Sequence, residues 1–370
     1  MKYLFLSNSI GGLKSFRTEI IEKILKQGDA VHICSPLEIS ADFFESKGCI
    51  IHPIKLARHG INPFSEFELI NEYTSIIKSI SPDIIFSYTI KPNIYGSIAA
   101  KLCKVPIIAS VTGLGSAIEN GGWLSKISCF LIKYGMKSTD HVFFQNKESM
   151  LFFKNNNIAL RSQSLVAGSG VNLERFQLYP YPEEDNGIHF LYTGRILKEK
   201  GVGLFLEAAK IIKQAFPNTF FHIVGIKDDI EYSAKVEEYD EKNIIIFHGP
   251  QNDVIPFIRQ SHCQIHPTYY PEGMSNVLLE SAACGRPAIT TDKSGCKEIV
   301  EDNRTGFLVK QNDLQSLVDA LKRFLSLPYN VKKEMGLNAH KKVVNEFDRN
   351  DVITEYLNIA QKIQKKYPQI

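Results

Sequence analysis

The stretch PEGMSNVLLESAACGRPAITTD, Pro271 to Asp292, decides the reading of this chain. Pro271 and Gly273 break the preceding run QIHPTYY, so a loop is expected there. Ser275 or Asn276 then offers a helix N-cap, and Val277, Leu278 and Leu279 begin an apolar face that continues through Ala282 and Ala283. Gly285 and Pro287 stop the helix, and AITT reads as a short buried strand. A helix that begins behind a glycine turn presents free backbone N–H groups and the positive end of its dipole, a setting suited to a diphosphate. Two carboxylates, Glu272 and Glu280, lie on this loop and helix with seven residues between them. At a helical rise of 1.5 Å per residue they stand ~12 Å apart along the chain. Two acceptors so separated match the two ends of an extended ligand. The bland alternative, a surface helix with two solvated glutamates, fits Glu280 taken alone but not the whole string.

Outward from this segment, apolar runs alternate with helical spacers. KYLFLS, a helix from about Ser15 to Gln27 and AVHICS make a strand–helix–strand unit, and IIHPIKL, DIIFSYT, PIIASV and HVFFQ continue it. The rhythm breaks at FQLYPYPEEDNG (176–187), a stretch rich in proline and acids that reads as a linker. It resumes with IHFLYTG, TFFHIVG, NIIIFHG and CQIHPT, and a last helix is expected from about Arg349 to Lys366. Such alternation predicts parallel sheets covered on both faces. A chain of 370 residues exceeds what one core usually serves, so two domains are expected.

A second constellation, TGRILKEKG, sets Arg195 and Lys200 between a strand end and a helix. Ligands bind at that place in doubly wound domains. The competing reading is a solvated charge run, Lys198–Glu199–Lys200. A third is the Ser9-Ile10-Gly11-Gly12 loop after the first strand, where two glycines let amides approach an anion. A tight strand-to-helix turn would look the same.

The Glu272–Glu280 segment with its Ala-Cys-Gly-Arg-Pro turn resembles the nucleotide-sugar motif of the retaining glycosyltransferases of family four. The opening glycine loop, GSGVNLERF, GRILKEKG and GCKEIVEDNRTGFLV extend the resemblance along essentially the whole chain. It implies an α/β architecture of the GT-B kind, two Rossmann-like doubly wound domains facing across a cleft. The domains would span 1–175 for the acceptor and 188–348 for the nucleotide-sugar, with a helix over 349–370 returning across the junction. By the same resemblance Arg195 and Lys200 grip the donor diphosphate, Glu272 orients the sugar and Glu280 holds the ribose. Gly11, Gly12, Thr112, Gly273, Met274, Ser275 and Asn276 would line the donor, and the loop after NIIIF, with Phe247 and Gly249, would meet the edge of a uracil. The donor is expected to be a UDP-hexose or UDP-N-acetylhexosamine, with no separate cofactor and no metal. Many relatives carry a histidine near position 112; Thr112 departs from that pattern and resembles the subgroup that glycosylates polyprenyl-diphosphate-linked saccharides. Arg17, Arg58 and Lys91 are then candidates for the acceptor diphosphate, since cations bind phosphate oxygens. Catalytic roles fall on Arg195, Lys200 and Glu272. Two rival functions remain on this reading: a nucleotide-sugar epimerase on the same fold, and a silent subunit that only binds a nucleotide-sugar.

Charge is uneven. Residues 1–170 carry 18 Lys and Arg against 13 Asp and Glu, a net of +5, whereas the other 200 carry 25 against 27, a net of −2. A basic first half suits an anionic acceptor or surface, and lacks the dense stripe of a nucleic-acid binder. Seven scattered cysteines form no C-x-x-C pair and read as buried thiols of a reducing compartment. The opening MKYLFLSNSIGG has too short an apolar run for a signal peptide, and no run reaches the ~20 residues of a membrane span. The expected location is cytoplasmic, with peripheral membrane contact. GWLSKISCFLIKYGMKS, Gly122 to Ser138, sets Trp123, Ile127, Phe130, Leu131 and Tyr134 in one stripe flanked by Lys126, Lys133 and Lys137. A stripe covering the sheet is the first reading and a lipid interface the second.

Overall fold

The computed structural model describes residues 1–38, 41–56, 63–115, 118, 122–158 and 160–367. Arg58 lies outside the described residues. The chain divides into two compact units: 1–169 with Pro271–Gly273 and the chain from Asn350 onward, and Gly170–Tyr270 with Met274–Arg349.

The first unit holds a parallel sheet ordered β3-β2-β1-β4-β5-β6-β7. Its strands are β1 (Lys2–Leu6), β2 (Ala30–Ser35), β3 (Ile50–Pro53), β4 (Ile84–Tyr88), β5 (Ile107–Val111), β6 (His141–Phe144) and β7 (Gln163–Leu165). Strands β4, β5 and β6 are buried along their whole length, which is why they read as continuous apolar runs. One face buries Tyr3, Phe5 and Phe86 with Val352, Tyr356 and Ala360 of the Arg349–Gln364 helix. The chain's end thus completes the first unit's core, and Tyr356 Oη lies 2.7 Å from Ser110 Oγ.

The second unit repeats the plan with order β10-β9-β8-β11-β12-β13. These are β8 (Ile188–Thr193), β9 (Thr219–Val224), β10 (Ile246–Phe247), β11 (Cys263–His266), β12 (Ala288–Thr291) and β13 (Gly306–Val309). In both sheets the order reverses beside the first strand, the place where doubly wound sheets bind ligands. The 176–187 stretch packs on this unit. Arg286, fully buried, donates to Tyr179 O and Pro180 O as well as to Ile258 O, Arg259 O and Cys284 O. Tyr181 Oη donates to His262 O, and Lys332 pairs with Glu184 at 2.8 Å.

Two local expectations change. The first helix starts earlier, as Ile10–Phe16 followed by Thr18–Lys26, because Ser9 Oγ caps Gly12 N. Of the stripe on the Gly122–Gly135 helix, Ile127, Phe130 and Tyr134 face outward, Leu131 packs partly on the core, and the Trp123 side chain lies outside what the structure describes. The inward row is Ser128, Ile132 and, one turn on, Met136, and Gly135 packs so tightly on Ile94 that an added Cβ would lie 2.6 Å from Ile94 Cγ2. Phe130 and Tyr134 are 59% and 61% exposed with rings 4.4 Å apart, and Ile127, Lys126 and Lys133 are exposed as well.

Candidate functional site

In the second unit, β8 delivers Arg195 and Lys200 together. Tyr192, wholly buried, donates its hydroxyl to Arg195 O at 3.1 Å and reaches Lys200 O at 3.4 Å, so one side chain ties both ends of the loop. Glu199 O accepts from Tyr269 N at 2.9 Å, fastening the Lys198–Lys200 turn to the segment after β11. Gly201 follows at φ +76°, and a Cβ there would sit 2.1 Å from Pro267 O, so only glycine lets the loop enter the Val202–Ala215 helix at this spot. Both cations lie over the Tyr270 ring, Lys200 Nζ at 4.9 Å and Arg195 at 5.8 Å. Arg195 also pairs with Asp228 at 2.8 Å on the surface.

The Asn276–Ala283 helix begins as expected, with Ser275 as N-cap, but the Ser275 side chain makes no capping bond. Ser275 Oγ and Asn276 Oδ1 are buried and find no hydrogen-bond partner among the described residues. Met274 is buried, and Ser275 N donates to Gly295 O at 2.8 Å. Gly295 N is itself held by Glu298 at 2.7 Å, which gives the GCKEIV segment its place. Two buried oxygens without partners, beside the first-turn amides that no helix satisfies internally, leave polar capacity open at this helix start.

Glu280 sits one turn further in, with an accessible edge and a deeply buried carboxyl. Burial pushes that carboxyl up to about 7 against the opposing pull of Arg349 and Arg175. Arg349 Nη2 donates to Gly170 O at 3.2 Å, and Arg175 pairs loosely with Asp253 at 3.5 Å. Neither arginine is singled out by local sequence, because each comes from a segment far from Glu280. Arg175 lies in GSGVNLERF, whose glycine at 170 has φ +62° and lies against the Arg349 backbone.

Phe247 and Gly249 follow β10. Phe247 packs partly on the core beneath Lys227 Nζ at 5.3 Å, and Gly249 O accepts from Gly225 N at 3.0 Å.

Pro271–Gly273 belongs with the first unit. Asn146, the N-cap of the Lys147–Asn155 helix, donates Nδ2 to Glu272 O at 3.1 Å and Gly273 O at 2.8 Å. A Cβ on Gly273 would fall 2.1 Å from Gln145 Oε1 and 2.6 Å from Thr112 O. Thr112 therefore touches this segment through its backbone. Gln145 and Asn146 are the residues that sequence reasoning missed, and the one available signal was the N-cap asparagine after HVFFQ.

The expected anion loop is internally satisfied: Gly11 N donates to Glu38 Oε2 at 2.9 Å and Gly12 N to Ser9 Oγ at 3.2 Å. Lys91 is half-buried and paired with Glu66 at 2.7 Å. Arg17 is buried, its guanidinium 4.7 Å from the Tyr88 ring and 5.5 Å from that of Tyr356, with Nη1 donating to Phe16 O. The structure thus gathers Arg195 with Lys200 and Met274 to Glu280 in one unit, and places Gly11, Gly12, Arg17, Lys91, Thr112 and Glu272 in the other.

Two family models match the chain: Glycosyl transferase 4-like over residues 4–146 and Glycosyl transferases group 1 over 177–342. The chain belongs to the family-four glycosyltransferases. This transferase is 24% identical to the N,N'-diacetylbacillosaminyl-diphospho-undecaprenol alpha-1,3-N-acetylgalactosaminyltransferase of Campylobacter jejuni, over 99% of this chain and all of the relative. It is 26% identical to an Escherichia coli UDP-Gal:alpha-D-GlcNAc-diphosphoundecaprenol alpha-1,3-galactosyltransferase, over 74% of this chain and 73% of that one. In fold it is similar to Anabaena Alr3699/HepE in complex with UDP and glucose, with a TM-score of 0.80, 16% identity, and 98% and 100% of the two chains covered. Neither the epimerase nor the silent-subunit reading is favoured by these relatives.

Proposed function

We propose that this glycosyltransferase moves a hexose or N-acetylhexosamine from a UDP-sugar to a polyprenyl-diphosphate-linked saccharide, with retention of the α-configuration and without a bound metal. The observation that supports the donor half is the start of the Asn276–Ala283 helix, where two buried oxygens lack partners among the described residues one turn ahead of the Glu280 carboxyl. Glu280 accepts the ribose hydroxyls, and the first-turn amides with Arg195 and Lys200 take the diphosphate. The acceptor half rests on the Campylobacter and Escherichia coli relatives, both named for diphospho-undecaprenol substrates.

No carboxylate of the chain is assigned as a nucleophile. The acceptor hydroxyl attacks the anomeric carbon on the face the nucleotide leaves, the C–O bond to the β-phosphate breaks, and a β-phosphate oxygen takes the hydroxyl proton. The protein then contributes positioning and stabilisation of the negative charge growing on the leaving diphosphate. Glu272, held through its backbone by Asn146, orients the sugar.

Among the described residues no helix is long and apolar enough to cross a membrane. A lipid-linked acceptor is met instead by the outward Ile127, Phe130 and Tyr134 with Lys126 and Lys133, an apolar stripe with basic flanks suited to a peripheral interface. A panel of UDP- and GDP-sugars, assayed for transfer to a short-chain prenyl-diphosphate sugar, tests the reading. Transfer from UDP-sugars supports it, and isomerised donor without transfer would replace it with an epimerase.

A further inference from the structure

Thr89, at the end of β4, has φ 73° and ψ 163°. That region of backbone space is occupied almost only by glycine, and a β-branched residue there is a true outlier. Its hydroxyl does not repay the strain within the fold, since Oγ1 is buried without a hydrogen-bond partner among the described residues and does not cap the Ile90–Cys103 helix. Thr89 lines a small pocket together with Ile90, Leu114, Ile132 and Phe153. Its other polar side chains include Asn93, which is spent elsewhere: Nδ2 donates to Ser110 O at 2.9 Å and Oδ1 accepts from Ser87 Oγ at 2.8 Å. The free space is about 10 Å³, room for one group the size of a methyl or a water.

The pocket also abuts the segment that bears Glu272. Gly113, which lines it, lies so close to that backbone that a Cβ would come within 3.0 Å of Pro271 O and 3.4 Å of the Glu272 carbonyl carbon. A methyl-sized apolar space with one unsatisfied hydroxyl, next to the residue assigned to the sugar, has a chemical complement. An acetamido group carries a methyl for the apolar walls and an amide for the hydroxyl. A plain sugar hydroxyl could pair with the Thr89 hydroxyl but would leave the four apolar side chains facing an oxygen in place of a methyl.

We propose that this pocket is the subsite for an N-acyl amino sugar, with the acetyl methyl against Ile90, Leu114, Ile132 and Phe153 and the amide hydrogen-bonded to Thr89 Oγ1. Thr89 is then a specificity-determining residue. The inference rests on the transferase reading for its substrates, and the acetamido group has two sources, the donor sugar or the first sugar of the acceptor.

The test pairs acetamido substrates with their hydroxyl twins. The donor arm compares UDP-GlcNAc with UDP-Glc and UDP-GalNAc with UDP-Gal; the acceptor arm compares GlcNAc-diphosphoprenol with Glc-diphosphoprenol. Wild type, Thr89→Val and Thr89→Ser are compared by kcat/KM and by saturation-transfer NMR of the acetyl methyl. Valine keeps the shape and removes only an unsatisfied hydroxyl, so its melting temperature, checked in parallel, should not fall. In one arm the acetamido-to-hydroxyl ratio of kcat/KM should drop about tenfold in Thr89→Val, the methyl signal should weaken, and Thr89→Ser should restore both. The arm that responds identifies the source. Ratios unchanged in both arms would overturn the subsite and leave the space to a water. A serine variant as impaired as the valine one would overturn the hydroxyl's role. If no acceptor is glycosylated at all, the transferase reading fails, while the NMR comparison on the UDP-sugars and the prenyl-diphosphate sugars still decides the pocket.

Discussion

The two units share one topology and differ in how they hold their charges. In the second unit the polar groups are built into fixed positions. Arg286 spends its guanidinium on backbone carbonyls of three segments, Tyr192 ties the Arg195–Lys200 loop, and Glu280 is buried within the field of two arginines. In the first unit the candidate groups already have partners within the fold: Gly11 N with Glu38, Lys91 with Glu66, and the Arg17 guanidinium over the Tyr88 and Tyr356 rings. The Arg195–Lys200 loop is held through its backbone, with Arg195 paired to Asp228 at the surface, whereas Gly11 N and Lys91 are each tied to a carboxylate of the first unit. On the proposed function, the second unit would serve the donor diphosphate and the first the lipid-linked acceptor.

The sharpest way to break this contrast is Arg286→Met. Six backbone carbonyls would lose this donor, although Ile258 O and Cys284 O keep another. Unfolding in denaturant should show a loss of about 3–5 kcal/mol, since each buried acceptor left unpaired costs about 1–3 kcal/mol. A loss below about 1 kcal/mol would mean that this arginine is not what organises the second unit. Next in size are Arg195→Ala and Lys200→Ala. The diphosphate gains charge as the glycosidic bond breaks, so each should lower kcat by ~2–4 kcal/mol of transition-state stabilisation. Lys91→Ala, by contrast, should impair transfer more than donor hydrolysis. Parallel loss of both would move Lys91 to the donor or the fold.

Much of this was legible beforehand, for reasons of chemistry at short range. The alternation of IHFLYT, TFFHIV and CQIH with helical spacers reports strands buried on both faces, and each appears in the second sheet. Ser275 as N-cap and the stop at Gly285 follow from local backbone preference. What was not legible depends on distant partners. Asn146 acts on Glu272 and Gly273 across 126 and 127 residues, and Arg349, held to Gly170 O where the chain's last helix starts, acts on Glu280 through its charge. The Trp123 helix misled because two rows compete on it. The row Ser128–Ile132–Met136 is less apolar than Ile127–Phe130–Tyr134, yet it is the one that packs, because Gly135 permits close approach to Ile94.

Acidity sharpens the comparison further. Four imidazoles, His262, His189, His222 and His248, run across the second sheet with ring centroids 5.1 to 5.8 Å apart. Burial and the neighbouring imidazoles hold His222 down to about 4. Its folded value lies below the unfolded one, so its contribution is present above about pH 6.5 and lost as pH falls towards 4. His222→Gln should flatten the acid limb of the stability profile between those values, read by melting temperature against pH; an unchanged limb would put the acid sensitivity elsewhere. The Glu280 carboxyl acts on ligand affinity in the same direction. Its value of about 7 leaves it partly neutral, and ribose hydroxyls favour the ionised form, so donor affinity should rise several-fold as pH increases through 7 and then level. Calorimetry with a UDP-sugar on Glu280→Gln should show weaker binding and no such rise. Equal affinity in both proteins would remove Glu280 from the ribose.

The most direct measurement is the stereochemistry of the product. The protein is given a UDP-α-sugar and a prenyl-diphosphate-linked sugar, and the anomeric proton of the new linkage is read by NMR. Transfer with an α-linkage and UDP released in equal amount is the expected result. A β-linked product, or a donor that is isomerised while the acceptor stays unchanged, would contradict it.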